Sequence, residues 1–256
     1  MEGDKLVSLK EIAPYLKPWF LKYSTPLFHI NDQGRREVVG SGTFVNLGDK
    51  KILITARHVI SQYPFDQIFI PRRTSKGLEH VFGTCKASLY PPFLDDDSID
   101  IAYFELDDIR LSKIETEYSF LPMEYIDFKH APSDEFIYCA AGFPHRKAKF
   151  KKAYIGDVSL IQENIFNPGS KKWAYKDGFN TDDHIIMDYS RKMLNEITFD
   201  LVKTPKIEGM SGGSLWHIDP KIKFYIDRPN VKMVGILTQY STSHIYSTNI
   251  KHLHEI

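Results

Sequence analysis

The chain has 256 residues, 42% of them apolar, which is enough for one large domain or two small lobes around a sizeable core. Thirty-three basic residues balance thirty-three acidic ones, so nucleic acid is not expected as a partner. No apolar run approaches the ~20 residues that a membrane helix needs, and the first residues carry charges where a signal peptide has its apolar region. The composition excludes disorder of the bulk chain and predicts a cytoplasmic protein with no membrane partner.

The residues that most often bind metals are sparse and poorly spaced. Cys85 and Cys139 each stand alone, so they predict neither a metal site nor a disulfide framework, and they fit a reducing compartment. No H-E-x-x-H motif occurs, and His252-x-His254 near the end of the chain is too sparse to count. We therefore predict no metal and no other cofactor.

A helical segment is expected within residues 1–25. Ser8 and Glu11 have the spacing in which two side chains cap the free amides of a helix start. Pro14 lacks an amide that the helical ladder needs, and Pro18 is expected to end the helix. The segment should be short or kinked and packed on the main body; a docking helix for a partner protein is the alternative.

From residue 26 onward, short runs of aromatic and β-branched residues alternate with turn residues, which is the signature of strands. Almost no long helix is indicated, and parallel sheets need interleaved crossover helices, so an antiparallel all-β protein is favoured. The predicted strands are 26–31, 37–47, 51–56, 67–70, 86–90, 99–106, 135–142, 153–162, 184–189, 196–201, 213–217 and 232–239.

Two further segments stand apart from the strand pattern. Residues 164–183 mix Pro, Gly, Asn and charge over a length typical of a functional surface loop. Residues 145–152 form the strongest basic run, which is interpreted as a solvated loop or strand edge, with a docking patch for an acidic partner as the alternative.

Three local patterns carry chemistry: TARHV around His58, DIA beginning at Asp100, and GMSGGS around Ser211. Each occurs where a predicted strand meets a turn, and loops on rigid β-scaffolds often hold active sites. In this order the three segments resemble the His, Asp and Ser boxes of the chymotrypsin-like (trypsin-like) serine proteases. The resemblance extends over about residues 37–240, and only the boxes are specific.

The resemblance implies two six-stranded antiparallel β-barrels with the active site in the cleft between them. The first barrel would comprise residues 26–125 and the second 126–256. It also implies an acyl-enzyme mechanism, in which His58 takes the proton of the Ser211 hydroxyl and Asp100 orients the imidazole. Asp95, Asp96 and Asp97 compete with Asp100 in principle but are interpreted as a solvated acidic turn.

The glycines around Ser211 permit the tight turn that points backbone amides at a developing oxyanion. By resemblance, the donors are the amides of Gly209 and Ser211. The same segment also satisfies G-x-S-x-G, the nucleophile elbow of α/β-hydrolases. Such enzymes need their Asp and His after the serine and a helix directly behind it, whereas the residues after Ser211 are predicted to continue as a strand. The hydrolase interpretation is therefore disfavoured.

The sequence departs from secreted members of the family in ways that bear on activation. Met210 stands where those enzymes have an aspartate that pairs with a new amino terminus, and Val59 stands where a cysteine often follows the histidine. Activation by proteolytic trimming is therefore not expected. The chain resembles stand-alone intracellular bacterial trypsin-like peptidase domains more than digestive enzymes.

The resemblance also assigns the substrate pocket. Pro205 falls near the position of the pocket base, and Thr238 and Tyr240 are expected to line the entrance, with the preceding strand binding substrate backbone. Since no acidic residue occupies the base, we predict a preference for small or medium apolar side chains.

Taken together, the sequence predicts a serine endopeptidase with a protein or peptide substrate and a regulatory partner protein. A catalytically silent protease-like module that binds peptides or a partner is the main alternative, and a purely structural subunit is a second.

Overall fold

The structure is a computed structural model. It describes residues 9–74, 77–81, 83–88, 99–133, 135–144, 159–163, 179–180, 182–189, 192–194, 201–203, 207–219, 221–222, 225, 228–241 and 243–255. The described residues form three α-helices, fifteen strands and short 3₁₀ turns. The helices are α1 (Leu9–Tyr23), α2 (Arg57–Ser61) and α3 (Asp108–Ile114).

Fifteen strands are present among the described residues. They are β1 (Ser24–Ile30), β2 (Arg36–Leu47), β3 (Lys50–Thr55), β4 (Ile68–Pro71), β5 (Leu78–His80), β6 (Gly83–Ala87), β7 (Ala102–Leu106), β8 (Ile137–Gly142), β9 (Ser159–Glu163), β10 (His184–Asp188), β11 (Lys192–Leu194), β12 (Leu201–Lys203), β13 (Ser214–Ile218), β14 (Val231–Tyr240) and β15 (His244–Asn249).

The strands form two main antiparallel sheets. The first has seven strands in the order β5-β4-β1-β2-β3-β7-β6, and the second has six in the order β10-β15-β14-β13-β8-β9. A separate two-stranded sheet joins β11 and β12. Since every strand pair is antiparallel and few helices are present, the predicted all-β class is confirmed.

Most predicted strands occur within a few residues of their expected positions. Strand β15 was not predicted. All six of its residues are buried, and polar and apolar residues do not alternate along it, so the usual sequence pattern of a strand is missing. Helix α3 was not predicted either. Of the predicted strand 196–201, only Leu201 lies within the described residues, and β12 begins there. The tail ends in a 3₁₀ turn, Ile250–Glu255.

Helix α1 differs from expectation, because it continues through Pro14 and Pro18 to Tyr23. The two prolines are four residues apart and both are exposed, so their missing amide hydrogen bonds lie on the solvent face. The opposite face is buried and compensates for that loss; it comprises Ile12, Leu16, Trp19, Phe20 and Tyr23. The prediction that Pro18 ends the helix is therefore wrong, while packing of the segment on the main body is confirmed.

The main core links helix α1 to the second sheet. Trp216 of β13 is fully buried, with Phe20 stacked on it at 4.6 Å and Trp19 edge-on at 5.4 Å between ring centroids. Burial of large aromatic side chains is among the strongest stabilising contributions per residue. Two bridges, Val45 with Leu121 and Ile126 with Met233, connect the segment between the sheets to both of them.

Three remaining predictions concern cysteines, membrane spans and surface segments. Cys85 and Cys139 are both free thiols, and burial raises the pKa of Cys85 to about 11. None of the helices in the described part of the chain has the length and apolarity that crossing a bilayer demands. The basic run 145–152 and most of the predicted loop 164–183 lie outside the described residues.

Candidate active site

His58 lies on α2, the short helix that directly follows β3. The next two residues, Val59 and Ile60, are each only 2% exposed and anchor the helix in the first sheet's core. Gly40 on β2 packs against Val59 so closely that a Cβ on the glycine would lie 2.6 Å from a valine methyl. The apolar anchors thus fix the backbone of His58, while its own side chain stays about one-third exposed.

Asp100 immediately precedes β7 and is held by the fully buried residues that follow it, Ile101 and Ala102. Its carboxylate is only 5% exposed. The backbone N–H of His58 donates to Oδ1 at 2.8 Å, and the ring Nδ1 lies 2.5 Å from Oδ2. The buried carboxylate thereby holds the proton on Nδ1, which leaves Nε2 with a lone pair that can accept a proton.

Asp100 also connects the two sheets. Its backbone N–H donates to Oγ1 of Thr248 on β15, at 3.2 Å. Asp95, Asp96 and Asp97, the competing carboxylates of the sequence, lie outside the described residues. The predicted pairing of His58 with Asp100 is thus present in the structure, and strand β15, which sequence reasoning missed, helps to position it.

Ser211 lies in a tight loop just before β13. The loop is closed by two backbone hydrogen bonds, from Met210 N–H to Ile207 at 2.9 Å and from Gly213 N–H to Met210 at 2.8 Å. Gly212 has a φ of 80°, and a Cβ there would lie 2.1 Å from Oγ1 of Thr55. Only glycine fits this close approach, which sets the serine loop directly against the end of β3 that leads into His58.

Ser41 is a residue of the site that the sequence analysis did not single out. Its N–H donates to the carbonyl of Ser211 at 2.7 Å, and its Oγ donates to the carbonyl of Gly209 at 3.0 Å. The same Oγ accepts a hydrogen bond from the N–H of Phe143 at 2.9 Å. Ser41 therefore fixes the serine loop to both sheets. In the sequence, the feature that could have pointed to this residue is its position between two glycines, both of which are closely packed in the structure.

The proposed oxyanion donors are free to bind a ligand. Gly209 has a φ of 92°, and in the described part of the chain neither its N–H nor that of Ser211 donates to an acceptor. Backbone amides left open at a tight glycine turn are the groups that stabilise a tetrahedral oxyanion.

The serine hydroxyl itself is not bonded to the histidine. Oγ of Ser211 donates to the carbonyl of Thr238 at 3.2 Å, and among the described residues this is the hydroxyl's sole hydrogen bond. The structure thus brings His58 and Asp100 into direct contact and places the serine loop beside them, but it shows no bond between Ser211 and His58.

An open pocket lies beside Ser211; the space of about 250 Å³ within it includes open solvent. Its walls are mainly apolar and include Ala140, Ile207, Leu237 and Ile245. Two predicted pocket residues, Thr238 and Tyr240, line it as well, whereas Pro205 lies outside the described residues. The pKa of Tyr240 is raised, first by burial and then by the carboxylate of Glu208, to which its hydroxyl is hydrogen-bonded.

The residues after Ser211 form strand β13 rather than a helix. This agrees with the rejection of the α/β-hydrolase interpretation, which requires a helix directly after the nucleophile.

Comparison with known proteins identifies the fold. No protein-family model matches the sequence, and no curated protein matches it either. Among solved structures, the scabies mite inactivated protease paralogue S-I1 is similar with a TM-score of 0.58 and 11% identity, over 99% of this chain and 96% of that one. The VesB protease of Vibrio cholerae is similar with a TM-score of 0.53 and 12% identity, over 91% of this chain. The match spans 62% of the VesB chain. At these identities the comparisons bear on architecture alone: the chain has the two-barrel fold of the chymotrypsin-like proteases.

Proposed function

We propose that the protein is a serine endopeptidase that hydrolyses peptide bonds through a Ser-His-Asp triad of Ser211, His58 and Asp100. The observation that carries the proposal is the two-point contact between His58 and the buried Asp100 carboxylate, next to a glycine-rich serine loop with two open amides. A carboxylate that fixes both the backbone and the ring of a histidine is the arrangement expected for an oriented general base.

In the proposed reaction, Oγ of Ser211 attacks the substrate carbonyl carbon while Nε2 of His58 takes the hydroxyl proton. The carbonyl oxygen becomes an oxyanion and accepts hydrogen bonds from the amides of Gly209 and Ser211. The imidazolium then gives its proton to the leaving amine as the peptide C–N bond breaks, which leaves an acyl-serine. Water, activated by the same histidine, hydrolyses the ester and restores the free serine.

Attack requires the Ser211 hydroxyl to leave the carbonyl of Thr238 and turn toward His58. A change of rotamer at Ser211 gives up one neutral hydrogen bond, a net cost of about 1 kcal/mol. Catalytic hydrogen bonds are often long or absent before substrate binds and tighten in the complex. The present arrangement is therefore compatible with an enzyme at rest.

The pocket supports a preference for apolar side chains of small or medium size. Its apolar walls favour burial of such a side chain beside Ser211, and Tyr240 narrows the mouth. The register of β14 with β13 ends at Ile236, and the backbone of Leu237 still bonds that of Gly212 and Gly213, so β14 extends past its neighbour only from residue 238 onward. This stretch of β14 is where we expect the substrate backbone to bind as an added strand.

A catalytically silent module that binds peptides or a partner in the same cleft is the second candidate. The observation in its favour is the hydrogen bond from Ser211 to Thr238 in place of one to His58. One structural neighbour is itself described as an inactivated protease.

Incubation of the purified chain with a defined peptide library, read out by mass spectrometry, tests the proposal. The proposal predicts new peptide termini with the wild type and none with Ser211→Ala. If peptides bind to both proteins with equal affinity and neither cleaves them, the silent module is correct and the proposed activity is wrong.

A further inference from the structure

A second group of histidines and an aspartate lies apart from the candidate active site. Asp127, His130 and His217 each present one ligand atom, and these atoms all lie within 4.8 Å of one another. Oδ2 of Asp127 is 3.5 Å from Nδ1 of His130 and 3.6 Å from Nε2 of His217. His217 is near the end of β13, six residues beyond Ser211, which corresponds to at most about 20 Å along the chain.

These separations suit a metal ion better than they suit hydrogen bonds. Both distances exceed the range of a good N–H···O bond. Two ligands of a tetrahedral zinc ion, with bonds of ~2.0–2.1 Å to nitrogen and oxygen, are about 3.3–3.5 Å apart. The two separations that involve Asp127 are therefore close to the spacing of a zinc coordination shell, and all three ligand atoms lie within 4.8 Å of one another.

His217 is an unpartnered buried side chain within this group. The residue is only 8% exposed, and neither of its ring nitrogens has a hydrogen-bond partner among the described residues. Buried polar groups are nearly always hydrogen-bonded, because an unsatisfied one costs about 1–3 kcal/mol where it is fully desolvated. A metal ion bound to Nε2 of His217 would give this buried nitrogen a partner.

The surroundings of His130 are those of a supported metal ligand. The residue is 7% exposed, and its Nε2 lies 2.7 Å from the hydroxyl of Tyr138, which also accepts a bond from the N–H of Ser133. A metal on Nδ1 places the proton on Nε2, which then donates to Tyr138. Such an outer partner fixes the tautomer and ring orientation of metal-binding histidines.

We propose that Asp127, His130 and His217 bind one divalent transition-metal ion of the zinc class, through an aspartate oxygen, Nδ1 of His130 and Nε2 of His217. Two imidazoles and a carboxylate are a ligand set that zinc uses, with water in the fourth position. The carboxylate of Asp127 is about one-third exposed, which leaves access for that water.

Charged side chains around His217 bear on the binding of a cation. The carboxylates of Asp127 and Asp219 face His217 and favour a cation, while Lys232 on the neighbouring strand opposes it. The side chains around His217 therefore carry more negative than positive charge.

The position of the site indicates a structural role. Asp127 lies in the segment that connects the two sheets, and its N–H donates to the carbonyl of Met233 on β14. His217 belongs to β13. An ion bound to both fixes the connecting segment to the second sheet. This inference is independent of the proposed proteolytic activity.

Metal titration of the full chain, purified without a histidine tag and stripped with a chelator, tests the proposal. We expect one equivalent of Zn²⁺ to bind, and Co²⁺ at the same site to give the visible absorption of a tetrahedral complex. Zinc at 100 times its Kd should raise the Tm by about 5–10 °C.

Variants assign the binding to these residues. His217→Gln and Asp127→Asn should each weaken zinc binding at least about 100-fold, and Tyr138→Phe about 10-fold, because the last removes only the outer partner. His29→Gln, in the first sheet, is the matched control and should bind as the wild type does. Because the side chain of Asp127 is partly exposed, we expect Asp127→Asn to fold. This variant therefore still tests the proposal if His217→Gln does not fold. Absence of binding at 100 μM zinc, or unchanged binding in both ligand variants, would overturn the proposal.

Discussion

Two groups in this molecule combine histidine with aspartate, and they are built in opposite ways. At the candidate active site the carboxylate of Asp100 is buried, the imidazole of His58 is about one-third exposed, and two hydrogen bonds join them. In the other group the imidazoles of His130 and His217 are buried, the carboxylate of Asp127 is about one-third exposed, and the contacts are too long for hydrogen bonds.

The difference shows how burial decides what a histidine can do. A buried carboxylate that accepts a hydrogen bond from Nδ1–H leaves Nε2 available to a reactant, so that group suits proton transfer. Two buried imidazoles that each direct a nitrogen toward the same carboxylate can offer lone pairs to one centre, so that group suits a metal ion. Variants that act on one group and spare the other separate the two roles.

The largest expected effect is that of Asp100→Asn on serine reactivity. The amide no longer fixes the tautomer of His58, so the rate of Ser211 labelling by a fluorophosphonate should fall about 10⁴-fold. Asp127→Asn, the same chemical change in the other group, should leave that rate within about twofold. Intact-mass spectrometry at timed intervals measures both rates. Equal rates for the two variants would contradict the division of roles.

Ser41→Ala should have the next largest effect. The change removes the hydroxyl that holds the Gly209 carbonyl and leaves the Phe143 N–H unsatisfied, so the oxyanion donors lose their position. The labelling rate should fall about 10- to 100-fold, and the free energy of unfolding by about 1–3 kcal/mol. Zinc affinity should not change. Ser112→Ala, in exposed helix α3, is the control; equal labelling rates for the two variants would mean that Ser41 does not position the loop.

Tyr240→Gly should change selectivity rather than reactivity. Removal of the ring widens the pocket mouth, so labelling by peptidyl phosphonates with a Phe side chain should improve about 10-fold relative to those with Ala. Tyr15→Ala on helix α1 should leave the ratio unchanged. A ratio that stays at the wild-type value in Tyr240→Gly would show that this side chain does not limit the pocket.

The smallest expected effect is that of His217→Phe in metal-free protein. The phenyl ring keeps the edge contact with Phe136 and removes two unsatisfied nitrogens, so the free energy of unfolding should rise by about 1 kcal/mol. Chemical denaturation in the presence of a chelator measures it. A loss of stability instead would mean that the nitrogens of His217 are satisfied in the apo protein.

The local parts of the candidate site could be predicted from the sequence. The boxes around His58, Asp100 and Ser211 are short patterns in which a polar residue adjoins a strand, and the strands formed near the expected positions. Helix α1 could not be predicted in full, because burial of Trp19 and Phe20 against Trp216 outweighs the two prolines.

The remaining features depend on contacts between distant segments. Thr248 supports Asp100 only because β15 pairs with β14, and the buried polar residues of β15 give no strand pattern. Asp127 and His217 are brought together by the register of β13 and β14, which no local spacing encodes. Sequence reasoning therefore predicted no metal site.

The account's central claim is that Ser211 is a nucleophile activated by His58. Intact-mass analysis of the purified chain after exposure to a fluorophosphonate tests it most directly. The account predicts one covalent adduct, on Ser211, that is absent in Ser211→Ala. A folded wild-type chain that forms no adduct, or an adduct that persists in Ser211→Ala, would contradict it.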